Sequence, residues 1–300
     1  MLPSQRRDQT RWTQSVGRLE DGTNQGIVAL LSAARKRATA LTNEIGQEAQ
    51  SRPDPQFYIA QNAERINAEI GAAYLAVPRE EVGLVIGAAA ESAYLLGVSE
   101  GGKRVRRVAQ RTPTPVPQNV QEEQRSTQRR NAEAGVDDWV NTTARSAGAS
   151  AVRSLFVVAA GATVASSMLY HDRYRTALLS RNSLVGAGRT GMASSYGVNG
   201  MGAWIWMAAQ TACEICWGKQ GLVFPASVPL ESHINCRCSQ EPAASTDAQG
   251  FDADRLFSTL PASQQVRVLG PGKHELWKSK QISLRDIPNG NKARTLRELR

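Results

Sequence analysis

The chain has 300 residues, 41% of them hydrophobic, with 36 Lys and Arg against 27 Asp and Glu for a formal net charge of +9. That apolar content supports a packed core and excludes wholesale disorder, and the length fits one large domain or two small ones. The basic balance favours polyanionic partners such as DNA or an acidic protein surface, beside the plainer reading of ordinary solubility charge.

Met1 to Ser4 is followed by Arg6, Arg7 and Asp8, so no secretory leader is expected. A cytoplasmic protein is expected from this, and disulfides are rare there. Residues 1–100 read as helical. Ile27 to Ala40 is rich in Ala and Leu, with Arg35, Lys36 and Arg37 on its exposed side. Phe57 to Val77 sets Ile59, Ala63, Ile66, Ile70 and Tyr74 on one stripe at helical spacing, a pattern of core or partner-helix contact. Pro53 and Pro55 separate these helices, Pro78 ends the second, and Val82 to Leu96 forms another that stops at Gly97. No chemistry is visible in this region.

Gly101-Gly102 then opens a basic cluster of Lys103, Arg104, Arg106 and Arg107, followed by the polyproline-like Thr112-Pro113-Thr114-Pro115-Val116-Pro117. Composition thus divides the chain into a helical region over 1–100, a basic and Pro-rich linker over 101–118, and a region over 119–300 that is helical and then Cys/His-containing. The basic run is a solvated segment on one reading and a contact to DNA or a partner protein on the other. Gln118 to Asn141 reads as a polar helix anchored by Trp139. From Ser154 to Tyr170, 17 residues pass without a charge. A spanning helix needs about 20 strongly apolar residues. Ala, Gly, Ser and Thr dominate here, so a buried helix is expected and a membrane partner is not.

Between 151 and 200 five arginines stand against one acid, Asp172. Arg173, Arg175, Arg181 and Arg189 suit contact to phosphate, or bidentate contact to a partner's carboxylates. Both readings stay open. Gly186, Gly188 and Gly191 match a dinucleotide-binding fingerprint by letters only, since no strand precedes them. The closing Lys292 to Arg300 reads as a basic helical or frayed tail, and His274 as a surface histidine.

All four cysteines and one of three histidines fall within 26 positions: Cys213-Glu214-Ile215-Cys216, sixteen residues, then His233-Ile234-Asn235-Cys236-Arg237-Cys238. A Cys-x-x-Cys pair offers two thiolates from one turn, and a second pair after a loop of roughly 12 to 20 residues completes a tetrahedral site. Five donors compete for about four places. Cys213, Cys216 and His233 lead, with Cys236 or Cys238 as the fourth. Structural zinc suits this set; two disulfides in any of three connectivities, or reduced thiols, are the alternatives. A catalytic zinc would need an open position and a carboxylate base. Glu214 and Glu231 are near in sequence, but nothing else marks them as catalytic.

Ala203 to Met207 and Leu222 to Pro225 are apolar runs around the turn-forming Trp217-Gly218-Lys219-Gln220-Gly221, and read as a hairpin with Pro225 ending its second strand. The expected fold class is therefore α+β: mainly helical over the N-terminal two-thirds, then a small β-hairpin, zinc-knuckle-like C-terminal region. Metal would staple a subdomain with little core of its own.

The order Cys-x-x-Cys, glycine, apolar strand, proline-containing loop and His-x-x-Cys-Arg-Cys resembles the phage head morphogenesis family, the minor head proteins similar to protein F of phage Mu. Upstream, Arg181 and Arg189, Ser195 to Val198, and Trp204 to Trp206 are similar to the family's arginine-containing helical segment and aromatic strand. Downstream, Phe257 to Pro261, Gln264 to Val266, Val268 to Gly270 and Ile282 to Asp286 are similar to its tail. The resemblance implies a minor capsid protein of the virion, associated with the portal and acting in head assembly and in DNA packaging or delivery, present in the host cytoplasm during assembly. The partners it implies are the portal protein and other capsid proteins, with double-stranded DNA a further candidate and no small-molecule substrate. In this reading residues 1–100 dock, Arg173, Arg175, Arg181 and Arg189 face DNA or portal, and a structural zinc keeps the C-terminal region rigid.

Two readings from other classes remain. One is a zinc-containing nucleic-acid enzyme, an HNH-like nuclease with His233 as base and Asn235 beside it; it needs more histidines or acids near the metal than the sequence shows. The other is a zinc-finger DNA-binding protein, which lacks a recognition helix between the ligand pairs. There is no G-x-S-x-G and no H-E-x-x-H, and thiolates held on a metal are not free to attack. Enzymatic activity is not expected.

Overall fold

The computed structural model describes residues 3–159, 165–248, 250–290 and 292–300, with side chains outside 3 and 157–173. These residues are mainly helical, with a few short antiparallel strands near the C-terminal end. In chain order they form α1 (Pro3–Leu30), α2 (Ser32–Gln50), α3 (Pro55–Gln61), α4 (Ala63–Leu75), α5 (Arg79–Ala109), α6 (Gln118–Ala159) and α7 (Ala165–Val198). There follow β1 (Ala203–Met207), α8 (Glu214–Lys219), β2 (Val223–Pro225), β3 (Ser239–Ala243), α9 (Ala253–Phe257), α10 (Ala262–Lys278), a 3₁₀ turn at Leu284–Asp286, and the two-residue strands β4 (Pro288–Asn289) and β5 (Lys292–Ala293). The chain divides into two compact units: Met1–Gly17, Ser92–Gln124 and Val185–Arg300 form the first, and Arg18–Glu91 and Arg125–Leu184 the second.

The second unit is helix packed on helix. Asp54 caps α3: its carboxylate accepts from the Phe57 N–H at 3.0 Å, and Pro55 sits in the first turn, where a missing N–H goes unmissed. The expected stripe is present, with Ile59, Ile66, Ile70 and Tyr74 each at most 1% exposed. It is carried by two helices, however, because the chain breaks at Asn62, whose side-chain amide donates to the Tyr58 carbonyl at 2.8 Å. Such local bonds compete with helix continuation. α4 packs against α2, which buries Ala34, Ala38, Ile45 and Ala49. Gly148 of α6 allows a close approach: a Cβ there would stand 1.9 Å from Asn67 Oδ1 and 2.5 Å from the Asn67 carbonyl.

In the first unit, α5 continues past Gly97 to Ala109 and is not stopped by it. Gly97 is a crossing point, where a Cβ would stand 1.9 Å from the Gly188 carbonyl. Glycine here lets two backbones meet and still tolerates the helix, at a propensity cost of about 1 kcal/mol. The glycines that spell a nucleotide fingerprint therefore lie within helix α7. The basic cluster at 103–107 is likewise helical, and extended chain is confined to residues 112–117. That extended segment is fastened. Asn199, 2% exposed, accepts from the Thr114 N–H at 2.7 Å and donates to its carbonyl at 2.9 Å, and Arg111 donates to the Asn199 carbonyl at 2.7 Å.

A three-stranded antiparallel sheet in the order β2-β1-β3 lies in the same unit. β1 is central and all five of its residues are buried, as its unbroken Ala-Trp-Ile-Trp-Met run requires. Trp204 faces Phe224 across the β1–β2 pair, their rings stacked at 4.5 Å. The two apolar runs pair as expected, but helix α8 sits in the connection. β3 was not anticipated: Ser239-Gln240-Glu241-Pro242-Ala243 has no apolar alternation, and Pro242 is tolerated because β3 is an edge strand. The C-terminal residues 292–300 are not helical; they begin with β5, paired to β4 across the Gly290 turn (φ 61).

Candidate metal centre

The two halves of the cysteine motif are set by two small pieces of backbone geometry. Cys213 is the N-cap of α8, and Cys216 follows three residues later on the same turn, so both thiols leave one face. The Trp217 N–H bonds to the Cys213 carbonyl at 3.0 Å and closes that turn. The second half turns at His233–Cys236, where the Cys236 N–H reaches the His233 carbonyl at 3.3 Å and Asn235 takes φ 72. Asparagine tolerates this left-handed conformation better than most residues.

These turns bring all five expected donors together. Cys213 Sγ and Cys216 Sγ each lie 3.1 Å from His233 Nε2, and Cys216 Sγ lies 3.6 Å from Cys236 Sγ. Cys213, Cys216 and His233 make one group of donors and Cys216, Cys236 and Cys238 another, each within 4.8 Å, with Cys216 common to both. Around a tetrahedral ion bound at about 2.0–2.3 Å, donors stand roughly 3.4–3.8 Å apart. The cluster is close to that spacing and can hold a metal ion. His233 Nδ1 lies 2.7 Å from the Ile234 carbonyl, which keeps its proton on Nδ1 and turns the Nε2 lone pair to the thiols.

The thiols are unequal. Hydrogen bonds from Cys216 and Cys238, with the Arg189 guanidinium adding its charge, hold Cys236 well below the usual thiol range. The Cys216 side-chain bond brings Cys213 down to about 6 against the opposing effect of burial. Its side-chain contacts with Cys213, Cys236 and Cys238 push Cys216 up, and burial pushes Cys238 up. Among the described residues no disulfide joins these four cysteines.

Arg189 was expected to face DNA or a partner. It is instead 8% exposed and turned to the cluster: it donates to the Cys238 carbonyl at 3.0 Å, the Cys236 carbonyl at 3.3 Å, Cys236 Sγ at 3.3 Å and Ser232 Oγ at 2.6 Å. A planar guanidinium with five donors can span a loop in this way where lysine cannot. Arg181 pairs with the nearly buried Glu20 at 3.3 Å, and Arg175 donates to Ser146 at 2.5 Å. The side chain of Arg173 lies outside the described residues. Of the two nearby acids, Glu214 is paired with Lys273 at 2.8 Å and Glu231 is exposed. His274 is half-buried, bonded to Gln265 and set against Trp277, and is not a free surface histidine.

A buried ionic network behind β3 is the part that the sequence did not reveal. Glu241, 1% exposed, pairs with Arg107 and lies 3.8 Å from Arg104, which is equally buried. Arg107 also pairs with Asp8, while Arg104 donates to the Gln240 carbonyl and to Ser239 Oγ. Gln9 donates to the Arg237 carbonyl at 3.3 Å and accepts from Ser239, and Tyr196 donates to the Gln240 carbonyl at 3.0 Å. The polar strand β3 is thus buried because charged partners satisfy it. The signal was present as arginines one helical turn apart, Arg104 and Arg107, but nothing in one dimension pairs them with Glu241. On the far side, Arg285 ties α8 down by donating to the carbonyls of Gly218 at 3.1 Å and Gln220 at 2.8 Å.

No protein-family model, curated protein or solved structure matches the chain.

Proposed function

We propose that this chain is a minor head protein of a tailed phage, associated with the portal and acting in head assembly and in DNA packaging or delivery. In this reading a structural zinc is held by Cys213, Cys216, His233 and Cys236, with Cys238 supporting Cys236 through its backbone N–H, 3.5 Å from the sulfur. What carries the reading is the convergence of Cys-x-x-Cys and His-x-x-Cys-Arg-Cys into one partly buried cluster, within the stretch that resembles the phage head morphogenesis family. Four protein donors leave no position for a substrate, and Glu214 is engaged by Lys273; both favour a staple over a catalytic centre. When bound, the metal cross-links α8 to the segment that leads into β3. The chain's own residues do the rest: Arg189 gathers the loop carbonyls, His233 presents Nε2, and Arg285 anchors α8.

The partners proposed are the portal and other capsid proteins, with double-stranded DNA as a further contact. Arg189 is withdrawn from that contact, because its donors are already engaged. The test is elemental analysis of the purified protein, followed by co-expression with portal and capsid proteins. One zinc per chain and recovery in assembled particles are expected. A metal-loaded protein that never enters particles would remove the head-protein reading and leave the staple; absence of bound metal would remove the staple.

A further inference from the structure

Cys238 is the one sulfur of the cluster that the zinc staple leaves over. It is fully buried, no disulfide takes it up, and its carbonyl is held by Arg189 Nε at 3.0 Å. Its thiol belongs to the group of Cys216, Cys236 and Cys238, which meets the group of Cys213, Cys216 and His233 at Cys216. The two groups differ in chemistry. One contains an imidazole, and both Cys213 and His233 are only partly buried; the other is three buried cysteines. An all-thiolate set is the kind that copper(I) selects.

The spacing suits an ion among these three sulfurs. Three thiolates in one plane around an ion, at a metal–sulfur distance of about 2.3 Å, stand about 4 Å apart. Cys216 Sγ and Cys236 Sγ are 3.6 Å apart, and all three sulfurs lie within 4.8 Å of one another. Thiols are weak donors and sulfur is a weak acceptor, so hydrogen bonding alone gives little reason to bury three of them face to face. Charge selects the valence. Zn²⁺ with the thiolates of Cys213, Cys216 and Cys236 leaves one negative charge, and the Arg189 guanidinium meets it 3.3 Å from Cys236 Sγ. A monovalent ion that replaces the Cys238 thiol proton leaves that balance unchanged. A divalent one adds an uncompensated buried charge, which is costly.

We propose that the centre takes a second metal, copper(I), on Cys216, Cys236 and Cys238. The Cys238 thiol loses its proton to solvent as the copper–sulfur bond forms, no electron is transferred, and Cys216 and Cys236 bridge the two ions. The inference rests on the staple reading for those two shared ligands and goes beyond it at Cys238. It does not rest on the head-protein reading.

Anaerobic titration of the full-length protein with copper(I), supplied as its bicinchoninate complex, tests it, with zinc and copper counted together by elemental analysis after desalting. One copper per chain beside one zinc is expected. Cys238→Ser should keep its zinc, which shows that it has folded, and should lower copper affinity by about a hundredfold or more, at least what losing an outer-shell partner costs a metal site. Copper-edge X-ray absorption of the unaltered protein should show three sulfur neighbours and no nitrogen, a readout that needs no variant. Copper that displaces zinc ion for ion overturns the proposal and leaves the staple standing. So does a nitrogen neighbour, which would place copper on His233, a Cys238→Ser protein that binds copper unchanged, or a zinc protein that takes up no copper. A protein that carries no zinc, yet holds one copper on three sulfurs, would remove the staple and keep the copper site.

Discussion

The two units make unlike use of their buried volume. In the second, Ile59, Ile66, Ile70 and Tyr74 fill the space between helices, and the fold follows mainly from apolar stripes and glycine contacts, with the Glu20–Arg181 pair beside them. In the first, the sheet and its flanks bury Glu241, Arg104, Arg189 and the thiols of Cys216, Cys236 and Cys238 as well as Trp206 and Phe257. Apolar packing is tolerant, because similar shapes can replace one another at modest cost. A buried polar cluster is not, because removing one member strands the rest. Substitutions should therefore be more damaging around the cysteine cluster than in the helical layers.

The largest effect is expected at Cys216, which belongs to both donor groups. With the proposed zinc in place, Cys216→Ser should abolish metal binding and destabilise the first unit by more than about 5 kcal/mol, since structural zinc contributes on the order of 10 kcal/mol in small domains. Amide exchange would show β1 to β3 exposed, while α2 and α4 keep their protection. Equal loss of protection in both units would break the comparison.

Arg189→Leu comes next. It leaves the carbonyls of Cys236 and Cys238 and the Ser232 hydroxyl without their donor. At about 1–3 kcal/mol for each buried group left unsatisfied, a loss of about 4 kcal/mol should appear in chemical denaturation. Arg189→Lys should recover only part of it. In the second unit Ile70→Ala should cost about 3 kcal/mol by opening a cavity, and Ile70→Val about 1 kcal/mol. If Ile70→Ala proved worse than Arg189→Leu, the tolerant unit would be the wrong one.

Two helical glycines of the second unit should give small effects of opposite sign. Gly148→Ala puts a methyl against Asn67 and should lower the melting temperature by several degrees, a cost of about 1–2 kcal/mol. Gly22→Ala meets nothing within 4 Å and should raise stability by about 0.5–1 kcal/mol, through propensity alone. Thermal melts of the pair would show opposite signs.

Much of the helical architecture was legible because amphipathic spacing is a local property. Ile66, Ile70 and Tyr74 announce one face whatever lies opposite. The errors came where one residue type serves two purposes. Gly97 reads as a helix stop, yet it is a crossing point with Gly188. Arg189 reads as a contact to phosphate or to a partner's carboxylates, yet it gathers loop carbonyls.

By itself, then, the sequence determined the helical stripes, the strand-forming run at Ala203–Met207, and the five donors clustered between 213 and 238. Each is set by neighbours within a turn, a strand or a short loop. The tertiary structure alone decided that Ser239–Ala243 is a buried strand, which charges lie beneath it, and how the compact units draw on separated segments of chain. Partners such as Arg104 and Glu241 lie more than a hundred residues apart, and only folding determines which charge compensates which.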